Sequence, residues 1–195
     1  FAQTTTSYSA TVANAVASIT ATPTLADGTA SVKVNGVAVA SGSASGAIAL
    51  SVGANTITVL VTAQDASTKT TTVVVTRASP PDTTAPTLSG VGVSGTTTTT
   101  TTLSATSDEA ATGYWMVVAR GATVPTSAQV RAGVAYAGVS VVAHGFDAMT
   151  AALAKTFSIS GLSPATLYDL YLVAQDGASN LSTPPSLEQF ATQSV

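Results

Sequence analysis

Cysteine is absent from the 195 residues, which excludes disulfide staples and thiolate metal sites. Charge is almost as scarce. Only 8% of residues are Asp, Glu, Lys or Arg, six basic against nine acidic, and the net charge is −3. Nucleic acid is held by clustered Lys and Arg, and scattered basic residues supply no such patch, so nucleic acid is excluded as a partner. No apolar run approaches the roughly 18 residues that cross a bilayer, which excludes a helical membrane span. No basic segment followed by a short apolar one opens the chain, so a secreted protein would be seen here mature or as a fragment. No glycine-rich loop precedes a helix in the pattern that cradles phosphate.

What remains is β-branched and small. Apolar residues make up 45%, much of it Ala and Val, with Ser, Thr and Gly in place of charge. That composition favours sheet over helix. The stretch Arg77-Ala78-Ser79-Pro80-Pro81-Asp82-Thr83-Thr84-Ala85-Pro86 divides the chain. Its prolines donate to no ladder and push their neighbours into extended conformations, so it reads as a stiff spacer. The expected organisation is a sandwich over residues 1–79, a linker over 80–86 and a second sandwich over 87–195.

In the first half, short alternating runs are separated by turn residues. Strands are expected over 8–12, 17–22, 31–34, 37–39, 47–52, 56–62 and 70–77. Asn35-Gly36 between two alternating runs is a type I′ hairpin signal, because both residues tolerate positive φ. Ser7-Tyr8, Val34-Asn35-Gly36, Ser41-Gly42, the Gly53, Asn55, Ile57, Val59 series, the Val61, Ala63, Asp65 series and the closing Val73, Val75, Arg77 together resemble the cadherin-like β-sandwich domain of bacterial surface and secreted proteins. That family usually begins with a further strand, rich in Leu and Gly, ahead of the residues seen here. The chain starts at Phe1, so that strand is expected to be absent, leaving an open edge and an uncovered core stripe. Either the residues are an excerpt of a longer repetitive chain, or a neighbouring subunit supplies the strand. Both explanations place the block in a linear array.

In the second half, a strand is expected over 87–93. The threonines Thr96 to Thr102 are expected to run straight into the strand through Leu103 and Ala105, with Thr97, Thr99 and Thr101 sharing one face. A threonine ladder invites an ice-binding reading, but that needs several flat parallel ranks and one is visible. Residues 111–119 carry Tyr114-Trp115, with Trp115 expected in the core. Thr126-Ser127-Ala128-Gln129 fits a capping box and Gly133 a C-terminal cap, so a short helix is expected over 127–132. Further strands are expected over 140–144, 155–159, 169–175 and 187–192. Gly161-Leu162-Ser163-Pro164-Ala165-Thr166-Leu167-Tyr168 resembles the fibronectin type III signature, in which the Tyr168 hydroxyl bonds back to the backbone as a tyrosine corner. Residues 61–67 also rhyme with 172–179, an internal repeat at the level of architecture. The fold class is therefore all-β, two tandem Ig-like or fibronectin III-like sandwiches with one short helix in the second.

Few constellations could carry chemistry. Asp108 and Glu109 fall in one expected loop, Asp176 and Asn180 in another at the same pole, and Asp82 in the linker. Calcium takes six to eight oxygens, and related adhesin repeats imply such a site, which would lock the angle between domains. Otherwise these are turn-forming residues chosen for their local geometry. His144, with Asp147 three residues on, is where a nucleophilic triad would have to be, but no nucleophile elbow accompanies it. Tyr136, Phe146 and Tyr114 are the aromatics free to form a carbohydrate platform. The expected role is a non-catalytic structural segment of a bacterial cell-surface or extracellular fibre or adhesin, with neighbouring β-sandwich domains or identical subunits as partners. A filament subunit completed by strand donation and a carbohydrate-binding module of a secreted enzyme are the alternatives.

Overall fold

The computed structural model describes residues 5–195, and the expectation of a missing strand at Phe1 lies outside them. The chain separates into two compact units, Phe1–Pro81 and Asp82–Val195. Among the described residues nearly all regular structure is strand, with one short helix. No helix of the described residues is long and apolar enough to cross a membrane.

The first unit is built on a five-stranded sheet in the order β1 (Ser7–Val12), β7 (Thr68–Arg77), β6 (Gly53–Thr62), β3 (Ser31–Val34) and β4 (Val37–Val39). Strand β1 lies parallel to β7 and the other pairs are antiparallel. Asn35 and Gly36 take φ of 47° and 80°, the left-handed pair that lets β3 turn directly into β4. Facing the sheet is a ladder of only two short strands, β2 (Ser18–Ile19) and β5 (Ile48–Ala49). The longer strands expected over 17–22 and 47–52 are cut short because this part of the chain is tied down by side chains and turns instead of by a ladder. Ala21 N–H, for instance, donates to the Ser45 hydroxyl at 3.0 Å. The core is small: Val34, Leu50, Ile57 and Val75 are buried, with Ile19, Ile48, Val59 and Val73 partly so. Arg77 closes the unit by donating to the carbonyls of Asn14 and Leu50, both at 2.8 Å. Asn55 ties Ser51 and Val75 together in the same way.

The second unit is a three-stranded sheet on a four-stranded one. The first has the order β12 (Ala154–Ile159), β9 (Thr101–Ser107), β8 (Leu88–Ser94); the second has the order β11 (Ala143–Met149), β10 (Ala111–Ala119), β13 (Leu167–Asp176), β14 (Ser186–Ala191). Alternation along β9 buries Thr101, Leu103, Ala105 and Ser107, and Leu103 and Ala105 meet Trp115, Phe157, Leu170, Leu172 and Phe190 in the main core. Strand β13 is buried on both faces. Its outward Tyr171 and Val173 pack with Met116, Val118, Val130 and Tyr136 in a second cluster under helix α1 (Ser127–Ala132). The helix begins at a capping box of Thr126 and Gln129 and ends at Gly133 with φ 65°.

The threonine run differs from its expectation. Only Thr101 and Thr102 belong to β9, and the chain through Thr96–Thr100 turns, with Thr97 and Thr100 joined through their hydroxyls at 2.7 Å. Gly95 at φ 61° starts that turn, and a hydroxyl able to bond its neighbours' backbone favours a turn over a ladder. The ranked threonine face therefore does not exist. The strand expected over 140–144 forms later, as β11, because 134–142 are spent covering the second cluster through Tyr136, Val139 and Val141.

The tyrosine corner is present. Ser163 N–H donates to the Tyr168 hydroxyl at 2.9 Å, and Thr192 bridges the same loop through Ser163 O and Thr166 N. Gly145 stands opposite Trp115 in the β10–β11 pairing, and a Cβ there would lie 2.6 Å from the indole. A glycine inside a strand marks such a close approach.

Candidate functional site

Three of the four acidic residues singled out in the sequence converge, all within the second unit. One carboxylate oxygen each of Asp82, Glu109 and Asp176 lies within 4.8 Å of the others. Asp176 ends β13, Glu109 sits in the turn between β9 and β10, and Asp82 opens the unit. Asn180 organises the group: its N–H and its amide donate to the two Asp176 oxygens at 2.8 and 2.7 Å, and its amide reaches the Asp82 carbonyl at 3.2 Å. Asp108 stands apart from this set. Its carboxylate accepts from Thr87 N–H at 2.8 Å and fastens the start of β8.

The electrostatics follow from that crowding. Burial, then the charges of Asp176, Asp82 and Asp108, push the Glu109 carboxyl above its ordinary range. Burial also pushes Asp176 up, but the bonds from the Asn180 side chain and from the backbone of Asn180, Ala178 and Ser179 outweigh it, and Asp176 is held below its ordinary range. The set suits a hard cation in two respects. It offers oxygen donors only, and two oxygens facing each other across a calcium ion are roughly 4.8 Å apart at about 2.4 Å per bond. Three carboxylates leave the remaining positions to water or main-chain carbonyls.

The opposed shifts predict an unusual acid profile. Asp147 is held low by its bond from Lys155, then by Ala148 N–H and the Lys155 charge, and Asp27 and Asp65 by bonds from Thr29 and Ser67. With Asp176, these groups contribute stability that is present above about pH 4 and is lost as pH falls through their depressed values. Glu109 acts with the opposite sign. Its raised value favours the protonated folded form, so its contribution is lost as pH rises above about 4.3, the unfolded value. Melting temperatures taken every half unit should show the wild type losing stability in that window relative to Glu109→Gln; parallel curves would contradict the assignment.

The other candidates are not assembled. His144 and Asp147 are three apart on β11 and therefore face opposite sides of the strand. His144 lies against Gly133, where a Cβ would come within 2.5 Å of its Nδ1, and Asp147 is paired with Lys155. Of the aromatics expected to be free, Tyr136 is buried and its hydroxyl donates to Thr123 O at 2.6 Å. Burial, then the Asp169 carboxylate, pushes that phenol up. Phe146 is 71% exposed and stacks at a tilt on Tyr114, 5.7 Å between centroids, which leaves two rings on no common plane.

Two features were not singled out in the sequence. Asp169 is buried in the outer cluster, where Arg120 pairs with it at 3.0 Å and Gly121 N–H and Gln189 donate to it at 2.9 Å each. An aspartate inside the apolar run of β13 was the available signal. The first unit also holds an apolar groove of about 610 Å³ between its large sheet and residues 19–25, with Val59, Val61 and Val73 on its floor.

Residues 1–78 match the family model described as the cadherin-like beta sandwich domain. That match spans 78 of the 195 residues, nearly all of the first unit. No curated protein matches the chain. Among solved structures, the fibronectin(III)-like modules of Clostridium thermocellum CbhA are 11% identical, covering 98% of this chain and 92% of that one at a TM-score of 0.34. Domains A168–A170 of titin are 15% identical, covering 84% of this chain and 54% of that one at a TM-score of 0.38. A calcium-stabilised adhesin of an Antarctic bacterium is 16% identical, covering 95% of this chain and 46% of that one at a TM-score of 0.30. These superpositions are too loose to carry an argument about function. The family match bears on the first unit alone, and the three-on-four sandwich after it rests on its own geometry.

Proposed function

We propose that the chain is a non-catalytic structural segment of a bacterial cell-surface or extracellular fibre or adhesin, used as a pair of β-sandwich building blocks. The observation that carries this reading is the succession of two self-contained sandwiches of which the first matches the cadherin-like family. Their polar side chains support it, since they are spent on fastening the fold: Arg77 and Asn55 in the first unit, Tyr168, Thr192 and Arg120 in the second. The low charge of 8% leaves few long flexible side chains on the surface. Pulling a chain tethered at both ends should give two force peaks. The contour released should be about 280 Å for the 81 residues of the first unit and about 400 Å for the 114 of the second, at roughly 3.5 Å per residue and before the folded end-to-end length is subtracted. Extension without resolved peaks would remove the load-bearing role, and antibody labelling confined to the cell interior would remove the location.

Calcium is part of the proposal. Asp82, Glu109 and Asp176 would hold it, with Asn180 fixing Asp176 and the Asp82 main chain. The ion would neutralise three crowded carboxylates and tie the start of the second unit to two of its loops. At calcium about a hundredfold above its dissociation constant, the second unit should gain about 2.7 kcal/mol, read as a higher melting temperature in calcium than in chelator. Glu109→Gln should raise the melting temperature without calcium, by relieving repulsion, and remove most of the response to it. No shift at millimolar calcium would sink the site.

A further inference from the structure

Asn35 differs from the chain's other asparagines, Asn14, Asn55 and Asn180, in what surrounds its side chain. Those three donate their amides to Ala78 O at 2.9 Å, Ser51 O at 2.8 Å and the Asp176 carboxylate at 2.7 Å. The Asn35 amide donates to nothing among the described residues. Its side chain accepts, from Thr58 N–H at 2.9 Å and the Thr58 hydroxyl at 3.4 Å. Asn35 is also the one asparagine followed by glycine, and both residues are exposed at the tip of the β3–β4 hairpin. A Cβ on Gly36 would meet nothing within 4 Å, so neither a side chain nor a neighbour shields the Gly36 nitrogen.

An unshielded peptide nitrogen next to an asparagine side chain supports one spontaneous reaction. The Gly36 nitrogen attacks Asn35 Cγ and gives up its proton. The new C–N bond closes a five-membered succinimide, and the Cγ–Nδ2 bond breaks to release ammonia. Water then opens the ring at either carbonyl, leaving aspartate or isoaspartate at position 35. One water is consumed and one ammonia released, with no other reactant. In the isoaspartyl product the main chain runs through Cβ and Cγ.

The folded turn forbids the first step. Attack needs the reacting atoms about 3–3.5 Å apart and aligned. Asn35 has φ 47° and Gly36 φ 80°, the left-handed pair of a type I′ turn, whose first residue has ψ of about +30°. For an L residue that ψ sets the next nitrogen roughly 150° in torsion from the residue's own Cβ. The Gly36 nitrogen therefore points away from Cγ, and Thr58 holds the amide in place. Closing the ring means swinging the Gly36 peptide round and breaking the turn. The ladder behind it has three pairs, Val32–Val39, Lys33–Ala38 and Val34–Val37, and β4 is an edge strand. Such short edge elements open well before the whole unit does.

The isoaspartyl product does not fit the same turn. Val34 pairs with Val37 across two residues, and isoaspartate lengthens that link by one backbone carbon. It also turns the carbonyl that accepts from Thr58 into the link to Gly36. The Thr58 bond and the Val34–Val37 pairing cannot both survive, and Val34 and Val39 belong to the core of the unit.

We propose that Asn35 is a conditional modification site: it loses ammonia through a succinimide from chains whose β3–β4 hairpin has opened, and the isoaspartyl product cannot rebuild that hairpin. Opening of the first unit is thereby recorded covalently.

The test is incubation of the full chain in mildly alkaline buffer, folded and in guanidinium chloride, followed by digestion and mass spectrometry. Conversion at Asn35 should be about tenfold or more slower in the folded chain. Asn14, Asn55 and Asn180 should stay unconverted over the same time in both. Val39→Ala, which loosens the hairpin from the core, should speed conversion in buffer severalfold; if that variant fails to fold, its rate should equal the denatured one. The purified isoaspartyl chain should melt lower in its first transition and unchanged in its second. Asn35→Asp, which carries the new charge without the added carbon, should keep both transitions. Equal rates at Asn35 in the folded and denatured chain, or a Val39→Ala chain converting no faster than wild type, would overturn the guarding role of the turn. Conversion at the other asparagines as fast as at Asn35 would overturn the site. An isoaspartyl chain melting with the Asn35→Asp chain would overturn the incompatibility of the product.

Discussion

Trp115→Ala should destabilise the second unit by about 3–5 kcal/mol, the range for removing a large buried aromatic, and leave the first unit untouched. A domain's whole stability is about 5–15 kcal/mol, so the variant should be marginal at best at the growth temperature of a mesophile. The magnitude follows from where the indole sits. Trp115 meets residues of both sheets in the main cluster, among them Leu103, Phe157 and Leu170, so its loss opens a cavity that neither sheet can close alone. Calorimetry reads the effect as one of two transitions moving down while the other holds. Gly145 supplies the internal check. A Cβ at Gly145 would press on the indole, so Gly145→Ala should cost about 1–3 kcal/mol by overpacking. In the Trp115→Ala background the same change should be nearly free, because the atom it collides with is gone. The chain's single tryptophan reports the Gly145→Ala variant directly through its fluorescence. Additive costs in the double variant would mean that Gly145 is constrained by its backbone and not by the ring.

That pair also shows why part of this structure was legible in the sequence and part was not. Local devices were legible because a few adjacent residues determine them. Asn35-Gly36 has the two positive φ values of its turn, Thr126 with Gln129 closes a capping box, and Tyr168 reaches back to Ser163. Trp115 is expected in the core by analogy with the usual core tryptophan of such a strand, because period-two alternation alone does not choose between it and the adjacent, equally apolar Tyr114. The vacancy that Gly145 provides decides it, and that lies on another strand. The threonine run misled because β-branched residues favour strand only where something pairs with them. Thr96–Thr100 bond one another and turn instead. Tyr136 looks free in the sequence because its partners, Thr123 and the outer face of β10 and β13, lie elsewhere in the chain. Of the acidic candidates, Asp82, Glu109 and Asp176 converge because loops of one sandwich pole converge. Asp108 differs from its neighbour only in which way a turn residue points, and composition is silent on that.

The same outer face yields the second large effect. Arg120→Met should destabilise the second unit by about 3 kcal/mol, the lower end of the range for removing one partner of a buried ion pair. The lower end applies because Arg120 is itself a third exposed, with 32% of its side chain accessible against 4% for Asp169. Asp169 would also keep the N–H of Gly121 and the amide of Gln189. What it loses is the one ion-pair partner it has among the described residues, and a carboxylate at that depth has no water to turn to. Arg120 further donates to the carbonyls of Tyr168 and Phe190, both at 3.3 Å, so the substitution also loosens the junction of β13 with β14. The reverse change, Asp169→Asn, should cost less, since the guanidinium it strands can reach solvent and the amide remains an acceptor for Gly121. Adding Asp169→Asn to Arg120→Met should then recover stability, because it removes the uncompensated charge. Denaturant midpoints of the two single variants and the double variant measure this ordering. A double variant less stable than Arg120→Met alone would show that the arginine acts chiefly through the two carbonyls and that the buried charge contributes little to its effect.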